Sequence, residues 1–155
     1  MTDKTVSAAT TVDAPAHVVF AILTDPRQHA RIDGSGSVGS VIEGPERLTG
    51  KGDVFGIHMR LFGVPYDITN RVVEFEPDRR IAWRHFAGHR WRYELEPTEG
   101  GTRVTVTFDY SRHNAFWSAA VRLSGFPSRN RRGIEQTLVR LKEAAEADAA
   151  EQELA

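Results

Sequence analysis

Histidine is the side chain best suited to move a proton near neutral pH, and three of the six histidines stand at spacings that could support chemistry. His85 and His89 are four apart, the separation that brings two imidazoles onto one metal ion when the segment is helical. Ala87-Gly88 between them reads as a turn, so the rings need not converge. No nearby acid or third histidine completes a site, and no metal is expected. His29 and Asp33 are also four apart, on what reads as a short helix. A carboxylate so placed can orient an imidazole, the second half of a triad. No Ser or Cys nucleophile is tied to that pair by any signature, and a local surface ion pair or a helix-end bond is the plainer reading. His85 alone shares the phase of Ile81 and Trp83. It could bond a ligand carbonyl or move a proton, or it could be a strand-end histidine bonded to backbone or water.

Other motifs are weaker. Gly34 to Gly39 matches G-x-G-x-x-G. A dinucleotide site needs a strand before that loop and a helix after it, and here a helix precedes and a strand follows. A flexible connector near a cavity mouth is expected instead, with no cofactor. Arg129, Arg131 and Arg132 cluster where the last helix starts, against the sense of the helix dipole. They read either as an anion or partner site or as a solvated face. No catalytic residue is assigned.

The composition removes whole classes of function. There are no cysteines, which excludes disulfide scaffolds, Cys zinc sites, iron–sulfur clusters and thiol catalysis. Twenty basic residues against 21 acidic leave a net charge of -1, without the positive surplus that nucleic-acid binding requires. The N-terminal MTDKTVSAATTVDAPAH lacks the apolar core of a signal peptide. No run approaches the ~18 apolar residues of a membrane span, so stable membrane insertion is not expected. A cytoplasmic, soluble chain with one domain over residues 1–155, its core about 5–148, is the expectation. A homodimer is compatible with the sequence.

The elements that must position these residues follow from periodicity. Val6, Ala8, Thr10 and Val12 alternate as a first strand. Asp13 reads as the N-cap of a helix with Pro15 in its first turn. That helix stops at Thr24, because Pro26 disfavours helical geometry at Asp25. Asp25 caps a second short helix running to about Asp33. A strand follows around 38–43. Residues 53–111 then form alternating segments with short connections, which demand antiparallel neighbours in a meander. Asn70 and Val72 hold one apolar phase before Val73 and Phe75 take over another, which predicts a bulge. Residues 114–123 read as a short helix with Phe116 and Trp117. A long helix from about 128–130 carries Ile134, Leu138, Leu141 and Ala145 as one stripe, with Arg131–Glu135 and Lys142–Glu146 as flanking pairs. Its acidic tail is expected to fray.

A curved antiparallel sheet wrapped around that last helix leaves a gap between them. Phe55, Ile57, Met59, Tyr66, Asn70, Trp83, His85, Trp91, Tyr93, Phe108 and Tyr110 point into it from the strands, and Leu138 from the helix. In the opposite phase Arg90, Arg92, Glu94 and Glu96 face outward. Such a lining suits a bulky, mostly apolar ligand with a few oxygens, oriented by Tyr66, His85, Tyr93 and Asn70. The alternative is that the rings fill a closed core.

The stretches VDAPAHVVFAILTDP, VVEFEPDRRIAW, WRYELEPTEGGTRVTVTF and LVRLKEAAE resemble, in order and spacing, the START-like or Bet v 1-like (SRPBCC) superfamily, with its polyketide cyclase/dehydrase-type domains. The resemblance implies an α+β helix-grip fold: a curved seven-stranded antiparallel sheet wrapped around a long C-terminal helix, with two short helices after strand 1. It also implies a cavity for a small hydrophobic molecule, lipid- or polyketide-like. Ile32-Asp33 stands where many members carry Trp. Three functions follow. The first is a carrier of such a ligand. The second is a polyketide cyclase or dehydratase, a reaction class the resemblance supplies, with His85 the first candidate acid/base. The third is an interaction module docking through Phe116-Trp117.

Overall fold

The computed structural model of the chain describes residues 5–33, 38–61, 63–84, 90–109 and 126–154. Residues 34–37 of the glycine-rich loop, His85, His89, Tyr110 and the segment 114–123 with Phe116 and Trp117 lie outside the described residues. The order is β1 (Thr5–Val12), α1 (Ala16–Leu23), a 3-10 turn (Pro26–Gln28), α2 (His29–Ile32), β2 (Val38–Glu43), β3 (Val54–Leu61), β4 (Val64–Glu76), β5 (Arg80–Arg84), β6 (Arg90–Thr98), β7 (Gly101–Asp109) and α3 (Phe126–Leu154). The strands form one antiparallel sheet in the order β1-β7-β6-β5-β4-β3-β2. This is the α+β class that the alternation predicts.

The period of two sorts the side chains between faces. On the inner face Val6, Phe108, Trp91 and Trp83 stand opposite one another across β1, β7, β6 and β5. Ala8, Val106, Tyr93 and Ile81 form the next row. The phase switch in β4 is a real irregularity: Val72 pairs with Trp83 but Glu74 with Ala82, leaving Val73 as the extra residue. The shift brings Glu74 to the outer face. Its carboxylate accepts from Arg92 at 2.6 Å and Arg90 at 3.2 Å. Those bonds, Arg92 foremost, hold its proton affinity below the usual carboxylate range.

The helices cover the inner face unevenly. α3 packs along β1 and against α1 and α2, and touches β7. Ile134, Leu138, Leu141 and Ala145 are all buried, as the stripe predicts. β1 is an edge strand, and α3 covers its outward carbonyls: Arg131 reaches the Ser7 oxygen at 3.4 Å and Lys142 the Thr11 oxygen at 3.3 Å. Lys142 also pairs with Glu146.

Several boundaries differ from expectation. Pro15 occupies the N-cap position of α1, with no side-chain cap. Asp13 does not cap; its N–H donates to Glu146 at 3.2 Å. The segment after Asp25 divides into a 3-10 turn and α2, and Asp25 caps it as predicted, accepting from the Arg27 N–H at 3.0 Å. α3 begins at Phe126, with Pro127 in a first turn that has no use for its N–H. It runs to Leu154. Asp148, bonded to Arg31 on α2, and Ala149, packed on the core, hold that last part in place.

Gly101 opens β7 against the end of β1, where a Cβ would lie 2.0 Å from the Val12 carbonyl oxygen. A Cβ at Gly100 would meet nothing within 4 Å. Gly101→Ala is therefore expected to lower stability by about 3 kcal/mol, and Gly100→Ala to leave it nearly unchanged. Paired urea titrations check this; equal midpoints for the two variants contradict the packing described.

Candidate functional site

The site is built where α2 lies on the inner face. His29 and Ile32 are three apart, so one helical face carries both, and both are buried. Arg31 points the other way. It forks onto Asp148 at 2.9 and 3.1 Å and reaches the Ala144 carbonyl at 3.4 Å, fastening α2 to α3. His29 is thereby pressed onto the sheet. Its ring stacks on Trp83 at a centroid distance of 4.8 Å and meets Phe55 edge-on at 5.4 Å. Nε2 donates to the Leu23 carbonyl at 2.8 Å, so the neutral ring keeps its lone pair on Nδ1. Burial pushes its proton affinity below the ordinary value of 6.5. His29 is thus an interior group and not the surface residue expected from its spacing to Asp33. The signal for this in the sequence was its shared face with Ile32.

Five of the rings predicted to wall a gap make ring contacts with one another. Phe55 meets Trp83 at 5.5 Å, Trp83 meets Tyr93 at 5.5 Å, and Trp91 meets Phe108 at 5.0 Å. Phe55, Ile57, Trp83, Tyr93 and Phe108 are buried, as is Leu138 on α3, while Met59 and Trp91 are half-buried. Tyr93 is held as a neutral phenol: burial, seconded by the Asp33 charge, drives its proton affinity far up. His85 and Tyr110 lie outside the described residues.

Along β3 and β4 burial falls away. Phe55 opposes Asn70, Ile57 opposes Ile68 and Met59 opposes Tyr66. The first two pairs are buried, Met59 is half-buried, and Tyr66 and Val64 are 38% and 63% exposed. All share one phase of their strands. Among the described residues the inner face therefore continues past the elements that cover it, and Tyr66 and Val64 are exposed. Tyr66 belongs to this rim and not to the interior.

Asn70 is the polar residue at the covered end of that slope. It is 2% exposed, and among the described residues its Oδ1 has no hydrogen-bond partner. A buried unmatched amide oxygen costs about 1–3 kcal/mol. Separately, a groove of about 420 Å³ opens between β1 and α3, lined in part by Ala8, Ala9, Leu138, Val139 and Lys142. It holds none of the aromatic rings. Leu138 is the one predicted site residue that lines it. Among the described residues no group of three His, Asp or Glu side chains converges as a metal site would need. No described helix is long and apolar enough to cross a membrane.

An antiparallel sheet backed by a long final helix, with aromatic rings on its covered face, defines a superfamily, and comparison with known proteins agrees. The profile of the family described as polyketide cyclase / dehydrase and lipid transport matches residues 3–146. The chain belongs to that family, within the SRPBCC or Bet v 1-like superfamily. It is 44% identical over 143 residues to the uncharacterized protein Rv0088 of Mycobacterium tuberculosis, covering 89% of this chain and 62% of that one. The chain thus spans less than two thirds of that relative's length. Among solved structures, protein NE0264 of Nitrosomonas europaea superposes with a TM-score of 0.72 at 20% identity, covering 94% of this chain and 96% of that one. The AHSA1-like protein of Aeromonas hydrophila gives 0.68 at 21% identity, covering 93% of each. These last two likenesses establish the fold.

Two outcomes are expected of the polar interior. Asn70→Leu keeps the side-chain size and removes an unmatched buried oxygen. It should stabilise the ligand-free protein by about 1–2 kcal/mol, which raises the melting temperature by about 2–6 °C; a lower melting temperature contradicts the assignment. His29 gives stability an acid limb. The unfolded chain takes up a proton as the pH falls through about 6.5, while the folded ring resists it. Its contribution is therefore complete above that pH and is lost below it. Melting scans between about pH 7 and pH 5 should show a decline that is shallower in His29→Phe; parallel slopes contradict it.

Proposed function

We propose that the chain binds a small, mainly hydrophobic or aromatic molecule between the inner face of the sheet and the helices that cover it, as a carrier or sequestering domain. In this reading the sheet curves around α3 as one domain, at work in the cytoplasm. The supporting observation is the uncovered end of the inner face, where Met59, Tyr66 and Val64 run outward from the buried Phe55–Asn70 pair. Apolar surface of that kind gains about 25 cal/mol for each Å² a ligand removes from water, before the cost of association. The rings of Trp83, Phe55 and Tyr93, set at angles to one another, supply apolar surface, and Asn70 and Tyr93 the polar groups that orient a ligand. Membership of a family whose description includes lipid transport is in keeping with this.

Trp83 and Trp91 lie on that face and report on it. Titration with decan-1-ol and with 2-naphthol, followed by tryptophan fluorescence and by native mass spectrometry, should give saturable 1:1 binding of at least one probe. Tyr66→Asp, which places a charge at the rim, should weaken that binding about tenfold. Absence of 1:1 binding by both probes, or full affinity in Tyr66→Asp, contradicts the reading.

A further inference from the structure

We infer that the interior reads a hydrogen-bond donor on its ligand: the molecule carries a hydroxyl group, as an alcohol, phenol or enol, directed at His29 Nδ1 and Asn70 Oδ1. The inference rests on the ligand-binding reading above and narrows it to a chemical class.

Two observations meet at one place. The first is the tautomer of His29. The Leu23 carbonyl can only accept, so Nε2 carries the ring proton and Nδ1 is left with a lone pair. Among the described residues nothing donates to Nδ1. The second is Asn70, 2% exposed, whose Oδ1 accepts from nothing among the described residues. These groups are neighbours through Phe55. The His29 ring packs on Phe55 at 5.4 Å, and Asn70 stands directly opposite Phe55 in the β3–β4 register, where side chains on one face lie about 5 Å apart. Asn70 is also two residues from Val72, the register partner of Trp83, on which His29 stacks. The imidazole and the carboxamide therefore flank the same pair of rings.

Two acceptors without a donor between them form a selective arrangement. A ligand hydroxyl supplies the missing proton. A ketone or ether oxygen at the same point adds a third acceptor and leaves Oδ1 unmatched. Sites built to bond a substrate hydroxyl reject the analogue that lacks it far more strongly than apolar pockets reject a changed methylene. The aromatic rings set the rest of the ligand as apolar.

The test uses 2-naphthol against 2-methoxynaphthalene and 2-acetylnaphthalene, and decan-1-ol against its methyl ether, with the full chain and its Asn70→Leu variant. Wild-type protein should bind each hydroxyl probe at least tenfold more tightly than its capped partner, and 2-naphthol at least tenfold more tightly than the ketone. In Asn70→Leu the paired affinities should converge to within about threefold. The ¹⁵N resonance of His29 Nδ1 should move with 2-naphthol and stay put with the ether, a readout that needs no substitution at His29. Equal binding of capped and free probes, tighter binding of the ketone, or a preference retained in Asn70→Leu overturns the donor inference and leaves the hydrophobic-ligand reading standing. Failure of all five probes to bind overturns both.

Discussion

The organising constraint is an imbalance of surfaces. A wide antiparallel sheet with one wet face must hide the other, and here the described covering elements reach only part of it. α3 lies mainly along β1, α1 touches β6, and α2 with its preceding turn reaches β2. The β3–β4 arm extends beyond them. That disparity sets where the core is tight, around Phe108, Val104 and Ile81, and where apolar side chains are left uncovered, from Met59 outward. The Arg31–Asp148 fork fastens α2 to α3.

Within the covered part, the chain spends stability on polar groups. A Leu at position 70 and an aromatic ring at 29 would satisfy every packing requirement described above. An amide and an imidazole stand there instead, among Phe55, Trp83 and Tyr93. Each is neutral, and His29 is kept so by burial. Neutral groups can be hidden at modest cost where charges cannot. Unmatched polar atoms in an apolar site are a usual mark of a binding surface prepared in advance. On the outer face the charges are paired: Glu74 is shared between Arg90 and Arg92.

Much of this was legible in the residues. Alternation identified the strands, and short connections required them to be antiparallel. The change of phase between Val72 and Phe75 located the bulge. The stripe from Ile134 to Ala145 located the buried face of the last helix. Helix ends were less legible: Pro15 and not Asp13 takes the N-cap position of α1, while the Asp13 N–H donates to Glu146, and Arg31 with Asp148 ties α2 to the later part of α3. The site was read in part. The strand residues of the aromatic face were found, yet Tyr66 belongs to the rim, since nothing in its own strand says where coverage stops. His29 was paired with Asp33 by spacing along one helix. Its actual partners, Trp83 and the Leu23 carbonyl, come from another strand and from the preceding helix, and no local pattern encodes them.

The way β1 is held has a bearing on how the protein is made. Its strand partner lies about a hundred residues downstream, as the Ser7–Thr107 contact shows, and the lysine that covers its Thr11 carbonyl lies 131 residues away. During synthesis the first strand therefore waits with both edges bare while nearly the whole sequence emerges. Long-range closure of this kind slows folding and prolongs the exposure of unpaired strand edges. The small and polar residues that alternate along β1, Ser7, Ala9 and Thr11 among them, give a waiting ribbon little with which to recruit a wrong partner.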